Sequence, residues 1–173
     1  MSPQPPNKYI LDSCVLIDAY KEHYSPDICP GFWNAIGHHQ AQSVLSIDHV
    51  RKELSAGNDD DGLKIWAKHT SLDSFFQSTA TAGVAAAYTQ VMTWVQALAD
   101  KKPYDKAHFA NGADGWLIAY AMVHRASVVT HERHGQKGVK IPDIGDHFHV
   151  RCITIPEMLR ELEIKLEWTP PAA

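Results

Sequence analysis

Four acidic residues border apolar segments of the chain, and they are Asp12, Glu53, Asp114 and Glu132. The first directly follows the run 9–11, and the last follows the run 128–130. A carboxylate beside a protein core is costly without a positive partner, and four that converge would repel each other. A hard divalent cation bound by oxygen ligands would relieve that repulsion. The pattern therefore indicates a metal-dependent enzyme that acts on phosphates.

The elements that must position these acids alternate between strands and helices. Apolar runs predict strands at residues 8–12, 43–47, 126–130 and 150–154. Helical spacing predicts helices at residues 14–20, 31–36, 48–54, 63–67, 82–99, 105–110, 114–125 and 155–164. We expect Ser13 to cap the first of these helices and Asp48 to cap the third. Such alternation is typical of an α/β fold with a parallel sheet covered on both faces.

Ligands of parallel sheets bind at the carboxyl ends of the strands. Asp12 and Glu132 lie at two such ends, whereas Glu53 and Asp114 lie on helices that can lean over the same edge. We therefore expect one site at this edge.

The composition indicates which classes of protein this chain can belong to. The 173 residues, 45% of them hydrophobic, suit one globular domain. Apolar stretches fall short of the roughly 20 residues that a membrane-spanning helix needs, and the polar, proline-rich residues 1–7 predict a flexible tail rather than a signal peptide. Three cysteines without a Cys-x-x-Cys motif indicate reduced thiols and a cytoplasmic location.

Basic side chains concentrate in the segment that surrounds Glu132, although the net charge is −4. A solvated loop is the simpler interpretation of such a cluster, but beside a metal site these side chains could also bind phosphate. The candidates for substrate binding are His131, Arg133, His134, Lys137 and Lys140.

Four segments together resemble the PIN domain, and they are Asp12-Ser13, residues 50–54, residues 113–121 and residues 128–132. The similarity is closest to a bacterial PIN-like subfamily of unassigned physiological role, which also shows the Pro-Gly-Phe-Trp segment found here at residues 30–33 and the Lys-Ile-Pro-Asp segment found at residues 140–143. The resemblance runs over residues 8–166, which would form a single PIN-like nuclease domain, followed by a C-terminal tail at residues 167–173.

The resemblance implies a three-layer α/β/α nuclease fold that uses Mg²⁺ or Mn²⁺ to hydrolyse RNA phosphodiesters. Many relatives are toxins of toxin–antitoxin pairs, which implies a cognate antitoxin protein as partner, and related domains often form homodimers. By matching positions, the four acids would be the catalytic and metal-binding cluster, with Ser13 and Thr130 in support. Asp12 and Asp114 are the preferred direct ligands. The other two acids could bind metal, bind it through water, or act as general base.

Three positions depart from the PIN pattern. Cys14 stands where Asn is frequent, Gly115 where this subfamily often has Pro, and Glu132 where many PIN domains have Asp. Cys14 keeps open a catalytically silent module that binds RNA or a protein. A phosphatase or phosphoacceptor domain with Asp12 as nucleophile is a further alternative, although the phosphatase version usually has a second Asp at position 14.

Overall fold

Five short strands form one parallel sheet at the centre of the protein. A computed structural model describes residues 8–40 and 42–167, and the predicted tails lie outside this range except for Glu167. The strands are β1 (Tyr9–Leu11), β2 (Val44–Ile47), β3 (Phe76–Gln77), β4 (Ser127–Val129) and β5 (Cys152–Ile153). All residues of β1, β2 and β4 are buried, as expected of strands covered on both faces.

The strand order is β3-β2-β1-β4-β5, and every neighbouring pair is parallel. The chain builds the sheet outward from β1 through β2 to β3, and then returns to the other side of β1 with β4. The switch point is therefore between β1 and β4. Asp12 donates its backbone N–H to the carbonyl of Val129 at 3.0 Å, so the carboxyl ends of these two strands lie side by side.

Helices flank the sheet in a three-layer α/β/α arrangement, which confirms the predicted fold class. In the described ranges they are α1 (Ser13–Asp18), α2 (Pro30–His39), α3 (Asp48–Leu54), α4 (Gly62–Lys68), α5 (Ala82–Ala97), α6 (Pro103–Asn111), α7 (Asp114–His124), α8 (Ile141–Phe148) and α9 (Ile155–Glu161). A π-helical turn, Ala19–His23, extends α1, and a 3₁₀ turn, Thr70–Leu72, precedes β3.

Local sequence explains several helix ends. A proline stands in the first two positions of α2, α6, α8 and α9, where the missing N–H has no helical partner to lose. Thr154 and Glu157 form a reciprocal capping box at the start of α9. Arg125 ends α7 in the left-handed conformation, with φ of 51°.

One strand, β3, and one α-helix, α8, were not predicted from the sequence. Two of the predicted helix caps are wrong. The two-residue strand β3 is too short to show a hydrophobic period, and the glycine and proline in α8 hide its helical pattern. The residue that precedes α1 is Asp12, because Ser13 is already helical. Asp48 is likewise the first residue of α3, and its carboxylate binds Thr79 instead.

None of the helices in residues 8–40 and 42–167 has the length and apolar character needed to cross a membrane.

Candidate metal centre

Asp12 lies at the switch point of the sheet and is only 3% exposed. Its Oδ2 accepts hydrogen bonds from Thr130 Oγ1 and Cys14 Sγ, both at 2.9 Å, and Ser13 Oγ approaches Oδ1 at 3.4 Å. Burial raises the pKa of Asp12, and the charge of Glu132 raises it further, while the two donors to Oδ2 oppose that rise. Thr130 therefore fixes the orientation of this carboxylate, and Ser13 contributes a longer contact.

Cys14 occupies the position where the PIN pattern favours Asn, and it retains a donor there. Burial and the neighbouring Asp12 carboxylate raise the pKa of Cys14, so the group remains a thiol that can donate to Asp12. This contact could not be predicted from the sequence, because a buried cysteine usually serves as a small apolar side chain.

Asp114 begins α7 and is half-buried. Burial, followed by the negative charges of Asp12, Glu132 and Glu53, raises the pKa of Asp114 to about 8, although Lys140 lowers it. Among the described residues, no side chain or backbone N–H donates a hydrogen bond to this carboxylate. The four predicted acids, hereafter the acidic cluster, thus lie within electrostatic reach of one another around Asp114.

Glu53 and Glu132 each have partners within the protein. Glu53 Oε1 accepts a hydrogen bond from the backbone N–H of Ala113 at 2.8 Å and so supports the start of α7. Glu132 accepts one from Lys140 Nζ at 2.6 Å and one from Ile141 N–H at 2.8 Å. Through these hydrogen bonds, Glu53 holds the start of α7 and Glu132 holds the start of α8.

Gly115 lets α7 approach α5 closely. A Cβ added there would lie 2.9 Å from Tyr88 Cε2 and 3.2 Å from Phe109 Cε1. The ring of Tyr88 stacks on Trp116 at 3.8 Å between centroids. The departure from Pro at this position thus accompanies an aromatic contact that a larger residue would disturb.

Four of the five predicted substrate-binding residues line two clefts that share Glu132. Lys137 and Lys140 line a cleft of about 210 Å³ with Asp114, hereafter the Asp114 cleft. Arg133 and His134 line a cleft of about 380 Å³ with Thr130.

His131 lines neither of these clefts, and its Nδ1 lies 2.7 Å from Asp18 Oδ2. Lys140 pairs with Glu132, so the structure gives it a partner that the sequence did not reveal.

The donor set suits a hard cation held by few protein ligands. Within the described ranges, no three His, Cys, Asp or Glu side chains are close enough to hold a metal ion among them. Mg²⁺ is commonly bound through one or two carboxylates, with waters and substrate phosphates completing its shell. Asp12 and Asp114 fit this role, because one is oriented by donors and the other has a raised pKa and no donor of its own.

Comparison with known proteins identifies a family but no activity. A family model described as "Domain of unknown function (DUF4411)" matches residues 9–166, so the chain belongs to that family. No curated protein and no protein of solved structure gives a significant match to the chain.

Proposed function

We propose that this member of the DUF4411 family is a Mg²⁺- or Mn²⁺-dependent ribonuclease of the PIN type. The observation that carries the proposal is the buried Asp12 carboxylate at the carboxyl end of β1, with Asp114 near enough that the charges of Asp12, Glu132 and Glu53 add to burial in raising the pKa of Asp114. Repulsion of this kind has no structural benefit, and a bound cation would remove it. The choice of RNA as substrate rests on the resemblance to PIN domains.

Each residue has a distinct part in this proposal. Asp12 and Asp114 would hold the metal, with Thr130 and Cys14 orienting Asp12. The metal, when bound, lowers the pKa of a water and shields charge on the phosphate. Glu132 is half-buried and engaged by Lys140, so it organises the segment that borders the cleft. Lys137 is exposed at the same cleft and is available to contact RNA phosphates.

The biological setting follows the same resemblance. We propose a cytoplasmic toxin that forms a homodimer and is restrained by a cognate antitoxin protein. A silent PIN-like module is the competing proposal, and the experiment below separates it from the enzyme.

The direct test is cleavage of labelled single-stranded RNA in Mn²⁺ by the native chain, Asp12→Asn and Asp114→Asn. We expect both variants to lose about 100-fold or more of the rate, since several kcal/mol of transition-state stabilisation depend on the metal. Asp73→Asn is the matched control, because Asp73 is exposed and pairs with Arg51 at 2.8 Å. Its cleavage rate should equal that of the native chain.

Two outcomes would contradict the proposal. Native-like cleavage by both cluster variants would place the activity elsewhere. A folded native chain that binds RNA but does not cleave it in Mn²⁺ or Mg²⁺ would establish the silent module.

A further inference from the structure

Three aromatic rings form a stacked column next to the acidic cluster. The ring of Tyr88 from α5 lies on Trp116 from α7, with centroids 3.8 Å apart and planes 5° from parallel. The other partner of Trp116 is His49 from α3, at 4.6 Å and 19°. The imidazole ring of His49 thus forms one end of the column, and it stacks on the larger rings of Trp116 and then Tyr88.

The orientation of His49 is fixed by hydrogen bonds as well as by stacking. Its Nδ1 lies 3.0 Å from Asp48 Oδ1 and 3.1 Å from Thr79 Oγ1. The Thr79 hydroxyl donates its hydrogen to Asp48, whose carboxylate can only accept. The hydrogen that lies between His49 and these two side chains is therefore bonded to Nδ1. In the neutral ring, Nε2 is then an acceptor and is not used by this network.

His49 faces a second cleft beside the cluster. Its side chain is 35% exposed, and it lines a cleft of about 230 Å³ together with Lys52, Glu53 and Ala113, hereafter the Glu53 cleft. Trp116 stacks on one face of the imidazole and Nδ1 is engaged, which leaves the opposite face and the Nε2 edge for a ligand.

The two clefts lie on either side of one short segment. Ala113 lines the Glu53 cleft, and the next residue, Asp114, lines the Asp114 cleft. The hydrogen bond from Ala113 N–H to Glu53 connects two residues that both line the Glu53 cleft. A chain of nucleotides with its phosphate at Asp114 would therefore have room for a neighbouring base on the His49 side.

We propose that the Glu53 cleft is a nucleobase subsite in which an unpaired base of RNA stacks on His49. Proteins bind single-stranded nucleic acid by stacking bases on aromatic rings, histidine included, beside cations that contact the backbone. The exposed Lys52 supplies that cation at the rim. The subsite requires an unpaired base, so it favours single-stranded RNA over a duplex. This inference rests on the proposed ribonuclease function and adds the residue that holds substrate next to the scissile phosphate.

The test is binding of a fluorescein-labelled oligoadenylate of about 12 nucleotides in EDTA, where no cleavage occurs. His49→Ala should weaken binding by about 5- to 100-fold, the range found when one stacked base loses its platform. His49→Phe keeps an aromatic face and should stay within about 3-fold of the native affinity.

His124→Ala is the matched control. The ring of His124 stacks on Tyr120 at 4.1 Å, but it lies at the opposite end of α7. This variant loses a stacked imidazole without touching the Glu53 cleft, and its affinity should equal that of the native chain. Thermal melting of all variants checks that each is folded.

The outcomes separate the subsite from the proposed function. If the native chain cleaves RNA in Mn²⁺ but folded His49→Ala binds the oligoadenylate as tightly as the native chain, the subsite is refuted and the ribonuclease stands. Equal losses in His49→Ala and His49→Phe would also refute stacking. A native chain that neither binds nor cleaves RNA would remove both proposals.

Discussion

At the scale of single residues, Asp114 is the most informative side chain of the site. A first-turn acid often serves only to complement the helix dipole, and the sequence alone allowed that interpretation. In the structure, burial and three neighbouring acids raise its pKa to about 8, which is the opposite of what a favourable helix end produces. The charged form of the Asp114 carboxylate is therefore disfavoured in its site.

This environment predicts how stability depends on pH when metal is absent. The folded pKa of about 8 lies above the ordinary value of 3.8, so the folded state binds the proton more tightly than the unfolded state. Stability is then lost progressively as pH rises from about 4 to about 8. At about pH 7, Asp114→Asn in EDTA should exceed the native chain by about 1 to 3 kcal/mol of unfolding free energy.

Thermal melting in EDTA across this pH range provides the measurement. Because Asp12 also has a raised pKa, the variant should show a shallower slope rather than none. Mn²⁺ should raise the melting temperature of the native chain and leave Asp114→Asn nearly unchanged. Parallel curves for the two proteins would mean that Asp114 carries no such penalty.

At the scale of elements, Glu132 connects β4 to α8 across the segment 131–140. Its backbone N–H donates to Thr130 Oγ1 at 3.2 Å, and its carboxylate accepts from Lys140 and from the first N–H of α8. The hydrogen bond that Lys140 donates to Glu132 raises the pKa of Lys140, which therefore stays charged beside Asp114. The pair thus sets both the path of this segment and the net charge of the Asp114 cleft.

Removing the charge of Lys140 should change both the unfolding free energy and its dependence on pH. In EDTA, we expect Lys140→Ala to lose about 1 to 3 kcal/mol of unfolding free energy, because it leaves a half-buried carboxylate without its partner. The loss of stability with rising pH should also extend to higher pH, since Lys140 lowers the pKa of Asp114. Urea denaturation at several pH values measures both quantities.

Lys137→Ala is the control within the same segment. Lys137 is exposed and lines the same cleft, and an exposed lysine changes stability by no more than about 0.5 kcal/mol. If the two lysine variants proved equally stable, the Glu132–Lys140 pair would not organise the segment.

The sequence predicted the main elements well because their signals are local. Strands β1, β2 and β4 are continuous apolar runs, and α5 and α7 carry long helical patterns. The strand β3 has two residues and exists through pairing with Ser46 and Ile47, so its signal lies in another segment of the chain. The start of α8 likewise depends on Glu132, nine residues away.

The candidate site was predictable to a similar extent. The meeting of Asp12 with the end of β4 follows from parallel strands that share an edge, which the alternation of elements implies. The partners of Glu53 and Glu132 were not predictable, because backbone N–H groups and lysines are everywhere in a sequence and only tertiary packing selects among them. His49 was missed for the same reason, since its stacking partner lies 67 residues further along the chain.

At the scale of the whole molecule, the sheet order explains why the acids meet. The switch point brings Asp12 and the end of β4 together, while α3 and α7 contribute Glu53 and Asp114 from distant parts of the chain. Crevices at such points are the usual ligand sites of open parallel sheets. The metal centre that we propose would lie at such a crevice.

Crystals grown with Mn²⁺ can show whether Asp12 and Asp114 jointly bind a divalent cation, as we propose. Anomalous scattering at the manganese edge should reveal a peak about 2.2 Å from one oxygen of each carboxylate. The peak should vanish in crystals of Asp114→Asn. No peak between these side chains at saturating Mn²⁺, or an unchanged peak in the variant, would contradict the account.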